Sequence, residues 1–290
     1  MNNLFKSIFI SFYISLLSVV FIQSIIELYQ QGIETIWLGI FIGISPSLLF
    51  FMKLFIKPVA RTSANLNALF IFAGIGAVIS YLQLNLPENL TYFYTYNLGL
   101  GLGGLSLYVF WYSRLARQDS PALTIGAPLP IFNLVRSEGE DWSSSELTNH
   151  AALILFFRGN WCPLCMAQIK EVAASYQQLE QLGVKIYLVS PQPEKFTKSL
   201  ADKFDVNFNF MTDKNNEAAK LLGIESLQGT PKGMEVLGYD SDTVLPTAIL
   251  TDKNGVIIFT DQTDNYRVRP EPDTFLRVFK EHGLTPQATT

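Results

Sequence analysis

The sequence predicts an α/β domain, a mixed sheet flanked by helices, preceded by a four-helix transmembrane region. Two observations carry that prediction. Of 21 basic and 25 acidic side chains in the 290 residues, only Lys6, Glu27, Glu34, Lys53, Lys57, Arg61 and Glu88 fall within 1–113. Behind that apolar third, runs with strand and helix character alternate in the charge-rich remainder, which is long enough to bury a core of its own.

Taken in order, the front holds four apolar stretches, about 4–28, 35–56, 66–84 and 92–112, each close to the roughly 20 residues that cross a bilayer. Polar or charged residues close each one. The first is longer than a signal-peptide core and lacks a small-x-small cleavage site, so a spanning helix is expected. Lys6 precedes span one, Lys53, Lys57 and Arg61 end or follow span two, and Arg114 and Arg117 follow span four, while the loops after spans one and three contain no Lys or Arg. By the positive-inside rule both termini and the soluble domain are expected in the cytoplasm, a reducing compartment. Gly99–Gly104 matches GxGxxG by letter but has no βαβ context, and close helix packing at the Gly99/Gly103 and Gly39/Gly43 spacings is expected instead. The spans contain no cysteine or histidine, so they are expected to anchor the chain or offer an interaction platform.

Next comes a Pro-, Ser- and Gly-punctuated stretch, 114–128, expected as a linker. From 129 to 290 the order is a short strand at 131–135, a short helix or turn at 143–148, and a continuous buried strand at 152–157. A helix at 163–182 carries Ile169, Val172, Ala173, Tyr176 and Leu179 at helical spacing. A strand at 184–190, a helix at 194–203, a strand at 209–212 and a short helix at 217–222 follow. Asp252-Lys-Asn-Gly255 between strands 247–251 and 256–260 is a hairpin signal, and a helix at 272–282 ends the pattern. A βαβ unit with a hairpin and a final helix makes a mixed sheet. The formal charge of −4, with no basic stripe, gives no reason to expect nucleic acid.

The chemistry centres on FFRGNWCPLCMAQIKEV. Cys162 and Cys165 are the only cysteines. A structural zinc site needs four ligands, and His150 and His282, the only histidines, stand in no ligand-spaced motif, so no metal is expected and both are taken as bystanders. Cys162 falls where a strand gives way to a helix, with Pro163 in the first turn. A thiol there faces unpaired N–H groups and the positive end of the helix dipole, which favour thiolate. Cys165, one turn on, is placed to attack a mixed disulfide on Cys162. The residues therefore predict an exposed nucleophile, Cys162, with a resolving partner, Cys165. A buried structural pair is the weaker alternative.

Supporting residues are read in the same way. Trp161 packs beside the helix and flanks a substrate groove, or is plain lip packing. Arg158 favours thiolate by its charge, or is a solvated strand-end arginine. Pro246, in Leu245-Pro246-Thr247, takes either a cis peptide or the trans form opening an edge strand. Segment Gly229–Asp242 forms a lip near Pro246, or an ordinary exposed loop. Arg267 and Arg269 are expected in surface or capping roles.

Together the stretches FFRGNWCPLC, LVSPQPE, MTDKNNEAAKLLGI, LPTAILTDKNGVI and DNYRVRPEP resemble, over about 128–280, the alkyl hydroperoxide reductase/thiol-specific antioxidant family in its peroxiredoxin-like branch. The resemblance implies a thioredoxin fold and thiol redox chemistry, often hydroperoxide reduction, fed by other thiols. The family's Pro-x-x-x-Thr-x-x-Cys window falls on Arg158, Cys162 and Cys165, and its peroxide-activating arginine on Pro246, so the pair looks more like a thioredoxin-type disulfide exchanger. The expected function is a membrane-anchored thiol–disulfide oxidoreductase without cofactor, in which Leu245-Pro246 presents backbone to the partner chain. A thiol-dependent peroxidase comes second and a non-catalytic redox sensor or membrane adaptor third. Expected partners are a thioredoxin- or glutathione-like electron donor, a disulfide or hydroperoxide substrate, and membrane lipid. The oligomeric state is left open.

Overall fold

A computed structural model describes residues 2–84, 87–147 and 149–286. The end of the expected turn at 143–148 and residues 287–290 of the expected soluble domain lie outside the described residues. The chain divides into two compact units. One comprises Phe5–Pro58 and Thr62–Arg114; the other comprises Met1–Leu4, Val59–Arg61 and Leu115–Thr290.

The first unit is helical. Helix α1 (Asn2–Gln31) and helix α2 (Ile36–Ile56) are long and apolar enough to cross a membrane, by length and composition. Helix α3 (Asn67–Leu82) is apolar but only 16 residues long. A fourth helical run begins as α4 (Pro87–Tyr92) and continues in π-helical turns over Phe93–Gly103 and Leu107–Tyr112. The expected close packing occurs at Gly39, where an added Cβ would strike the Gly76 carbonyl and Ser80 on α3. It does not extend to Gly99 and Gly103, whose nearest atoms belong to their own helical run.

In the second unit the strands are β1 (Asn133–Arg136), β2 (Asp141–Ser143) and β3 (Ala151–Phe156). The chain then forms α5 (Pro163–Ala174), α6 (Tyr176–Gln181), β4 (Val184–Ser190), α7 (Glu194–Ala201), β5 (Asn209–Thr212) and α8 (Glu217–Leu221). The two-residue strands β6 (Glu225–Ser226) and β7 (Thr243–Val244) precede β8 (Thr247–Thr251), β9 (Ile257–Asp261) and α9 (Pro272–Glu281). Seven strands form one sheet in the order β2-β1-β5-β4-β3-β8-β9. Strands β3, β4 and β5 run parallel, whereas β8 lies antiparallel to β3, with Phe156 opposite Thr247. This is the thioredoxin-like mixed sheet that the sequence predicts.

Strand β3 sits between β4 and β8 and is buried at every position. Coverage on both faces is what allows an uninterrupted AALILF run. The β8–β9 hairpin closes as expected: Asp252 Oδ1 accepts the N–H groups of Asn254 and Val256, at 2.8 and 2.9 Å, and Gly255 supplies a φ of +75°. Helix α9 starts on Pro272 and buries Phe275, Leu276, Val278 and Phe279 on one face.

Three readings need correction. The stretch 114–128 is packed against the sheet instead of forming a free linker. Leu123 is buried in the core, and Gly126, Ala127 and Leu129 exchange backbone bonds with Ile257 and Gly255. The cause is that β9 lies at the sheet edge, where its backbone groups need partners. The helix expected over 163–182 breaks at Ser175 into α5 and α6. The Leu245–Pro246 bond is trans, and the strand after it is internal to the sheet, not at its edge.

Candidate functional site

Strand β3 delivers the chain to a tight turn at 158–161. Gly159 takes a φ of +146°, and a Cβ there would lie 2.8 Å from the Trp161 indole nitrogen, so both backbone and space call for glycine. Gln192 Oε1 accepts the Asn160 N–H at 2.9 Å, and Asn160 Nδ2 donates to the Phe196 carbonyl, tying the turn to α7 and the loop before it. Cys162 then caps α5: its backbone is extended, and its sulfur accepts the Cys165 N–H at 3.3 Å with Pro163 at the first helical position. That arrangement satisfies one of the free N–H groups at the helix start.

Cys162 and Cys165 are joined as a disulfide with their Cα atoms 5.3 Å apart. In this bridged form Cys162 is 2% exposed and Cys165 fully buried, so the expectation of an exposed nucleophile does not hold. The Arg269 guanidinium lies against the bridge. Its Nη1 and Nη2 stand 3.5 and 3.4 Å from the Cys165 sulfur, and Nη2 stands 3.9 Å from that of Cys162. Gln168 of α5 accepts from Nη1 at 2.9 Å, and the Tyr266 carbonyl accepts from Nε. Burial, reinforced by the like charge of Arg158, pushes Arg269 down to about 10, which leaves it cationic at neutral pH. Arg267 is wholly buried as well. The surface or capping roles expected for these two arginines are therefore wrong. The sequence did contain a signal: Arg267 and Arg269 alternate with Val268, and it is the valine that faces out.

Arg158, expected either to favour thiolate or to stand as a solvated strand-end arginine, is tied to its neighbours. Its guanidinium stacks 4.6 Å from the centre of the Trp161 ring and donates to the Gly229 carbonyl, while its own carbonyl accepts from the Thr243 hydroxyl. The segment Gly229–Asp242 is thus held to the turn before Cys162, and the β6–β7 ribbon closes it just ahead of Pro246. Leu245 and Pro246 come just before β8, and their backbone groups are occupied. The Leu245 N–H bonds the Ile224 carbonyl, its carbonyl takes the Thr247 hydroxyl, and the Pro246 carbonyl takes Arg117 Nη1 at 3.0 Å. In this form the Leu245 N–H is engaged and each of the two carbonyls already accepts one bond. A cavity of about 10 Å³, room for a single water, lies among Gln168, Pro246, Tyr266 and Arg269.

A dithiol at a helix start on a thioredoxin-like sheet, with a buried cation against the sulfurs, defines a thiol-redox domain. Residues 125–260, just under half of the chain, match the model of the AhpC/TSA family, and the proteins similar to it include peroxiredoxins. Chloroplastic peroxiredoxin Q of Sedum lineare is 28% identical over 47% of this chain and 67% of its own. A putative peroxiredoxin bcp of Coxiella burnetii is 25% identical over 47% of this chain and 86% of its own. The thiol-disulfide oxidoreductase ResA of Bacillus cereus is 24% identical over 54% and 78%. Among solved structures, the peroxidoxin BcpB of Mycobacterium tuberculosis covers 55% of this chain and 97% of its own at 13% identity, with a TM-score of 0.46. The relatives support an oxidoreductase acting through thiols.

Proposed function

We propose that the chain is a membrane-anchored thiol–disulfide oxidoreductase that cycles Cys162 and Cys165 between dithiol and disulfide, with the four predicted spans as its anchor. The observation that carries the reading is the Cys162–Cys165 bridge at the first turn of α5, with the Arg269 guanidinium on both sulfurs. In the reduced protein the helix start and Arg269 favour the thiolate of Cys162. That thiolate attacks a target disulfide, forming a mixed disulfide and expelling one target thiolate. Cys165, deprotonated, attacks the Cys162 sulfur, expels the second target thiolate and closes the bridge seen here. The target gains two electrons and two protons, and a thiol donor of the thioredoxin or glutathione class returns the electrons. Trp161, stacked under Arg158, forms one wall of the approach, and Leu245 and Pro246 form another.

Peroxide reduction is the second reading. It rests on the same buried Arg269, suited to polarise a hydroperoxide beside a thiolate, and on the peroxiredoxin relatives. There Cys165 or Cys162 would be oxidised to a sulfenic acid, releasing water or an alcohol, and the other cysteine would close the disulfide with loss of water. The two readings separate with Cys162→Ser and Cys165→Ser chains assayed for protein-disulfide and hydroperoxide turnover, with sulfenate trapping. Disulfide exchange predicts that Cys165→Ser accumulates mixed disulfides and Cys162→Ser is inert. Sulfenate formation on Cys165 that survives Cys162→Ser sinks the assignment of the nucleophile.

A further inference from the structure

Arg61 lies in the sequence between α2 and α3, outside the family match, yet Val59–Arg61 is part of the redox unit. Nearly every N–H of its guanidinium is engaged. Nη1 and Nη2 grip the two carboxylate oxygens of Glu171, at 3.3 and 2.5 Å. Nε donates to the Arg269 carbonyl at 3.2 Å, Nη2 to the Pro270 carbonyl at 3.3 Å, and Nη1 also reaches Glu271 at 3.4 Å. Glu171 sits on α5, the helix that starts at Cys162, and Arg269 is the residue whose side chain lies against both sulfurs. One fork therefore fixes the spacing between the helix bearing the cysteines and the backbone bearing their cation.

We propose that Arg61 is a positioning residue of the redox centre, holding Arg269 in register with Cys162 and Cys165 by clamping Glu171 to the 269–270 backbone. A planar five-donor group is needed for this, because a single ammonium cannot span a carboxylate and two successive carbonyls. Through Arg61, thiol reactivity depends on a residue of the α2–α3 connection. The inference rests on the reading of Cys162 as an activated thiol.

The test uses the full chain in detergent, reduced, with Cys165→Ser so that only Cys162 reports. The rate of Cys162 alkylation by iodoacetamide is followed against pH. With the clamp intact, the midpoint lies below the ordinary thiol value of about 8.5. Arg61→Gln and Glu171→Gln are expected to move it up by about half a unit, slowing alkylation about threefold on the acidic side. Arg61→Lys keeps the charge without the fork and is expected to behave like Arg61→Gln. If Arg61→Lys matches the parent, only the charge matters and the positioning role is overturned. A lower unfolding temperature with an unmoved profile overturns it too. A parent midpoint near 8.5 sinks the activated-thiol reading instead, so the two failures are told apart.

Discussion

At the scale of single residues, Arg269 is the charge that lies against the pair. A cation within about 4 Å of a thiolate in a buried site lowers the thiol pKa by roughly one unit or more. Arg269→Gln should therefore raise the alkylation midpoint of Cys162 by about one unit and slow its reaction at pH 7 about tenfold. The measurement is the pH–rate profile of the reduced chain, and an unchanged profile would remove Arg269 from the site. The cysteines, Pro163 and the strand-to-helix junction were legible because each has a local signature: a spacing, a proline, the end of an apolar run. Arg269 was only half legible, because the Arg267-Val268-Arg269 alternation shows that the arginines and the valine face opposite ways but not which side the fold buries. Arg158 was read either as electrostatic help or as a solvated strand end, and its side chain stacks on Trp161 and bonds Gly229.

At the scale of elements, the short helix α8 is held by a buried acid. Asp213 follows β5, and its two carboxylate oxygens accept the Ala218 and Ala219 N–H groups at 2.9 and 2.8 Å. Burial outweighs these bonds and raises its pKa from 3.8 to about 6. Between those values the folded chain keeps a proton that the unfolded chain has lost. Asp213 therefore favours folding fully at acid pH and loses that contribution as pH rises from about 4 through about 6. The stability of the parent minus that of Asp213→Asn should fall by up to about 3 kcal/mol between pH 4 and pH 7. Denaturant titrations across that range would check it, and a flat difference would mean an ordinary carboxyl. The regular elements around Asp213 could be read from periodicity and turn residues. Strand β2 and the β6–β7 ribbon could not, since two- and three-residue strands have no period to detect. Nor could the packing of 115–129, whose Pro and Gly punctuation resembles a linker until the edge of β9 needs partners.

At the scale of the whole molecule, the composition shift near residue 113 falls close to where the helical unit ends, at Arg114. It could not anticipate that Val59–Arg61 joins the redox unit, because three residues carry no compositional signal. The number of spans is also beyond what periodicity resolves, with α3 at 16 residues and the fourth run wound partly in π turns. Sidedness, however, makes a sharp prediction. The loop between α1 and α2 has no Lys or Arg, whereas Lys53, Lys57 and Arg61 cluster at and after the end of α2. The positive-inside rule then puts Glu34 outside and Cys162 inside. In intact cells, a membrane-impermeant maleimide should label Glu34→Cys in a chain lacking both native cysteines. It should leave the reduced native pair unlabelled until the membrane is opened. Labelling of Cys162 from outside, with Glu34→Cys silent, would invert the orientation. The redox domain would then face an oxidising compartment, where the bridge is the resting form and the natural direction is oxidation of partner thiols. On the proposed reading the same sulfurs and the same Arg269 would serve either direction, and the side of the membrane would set which way electrons flow.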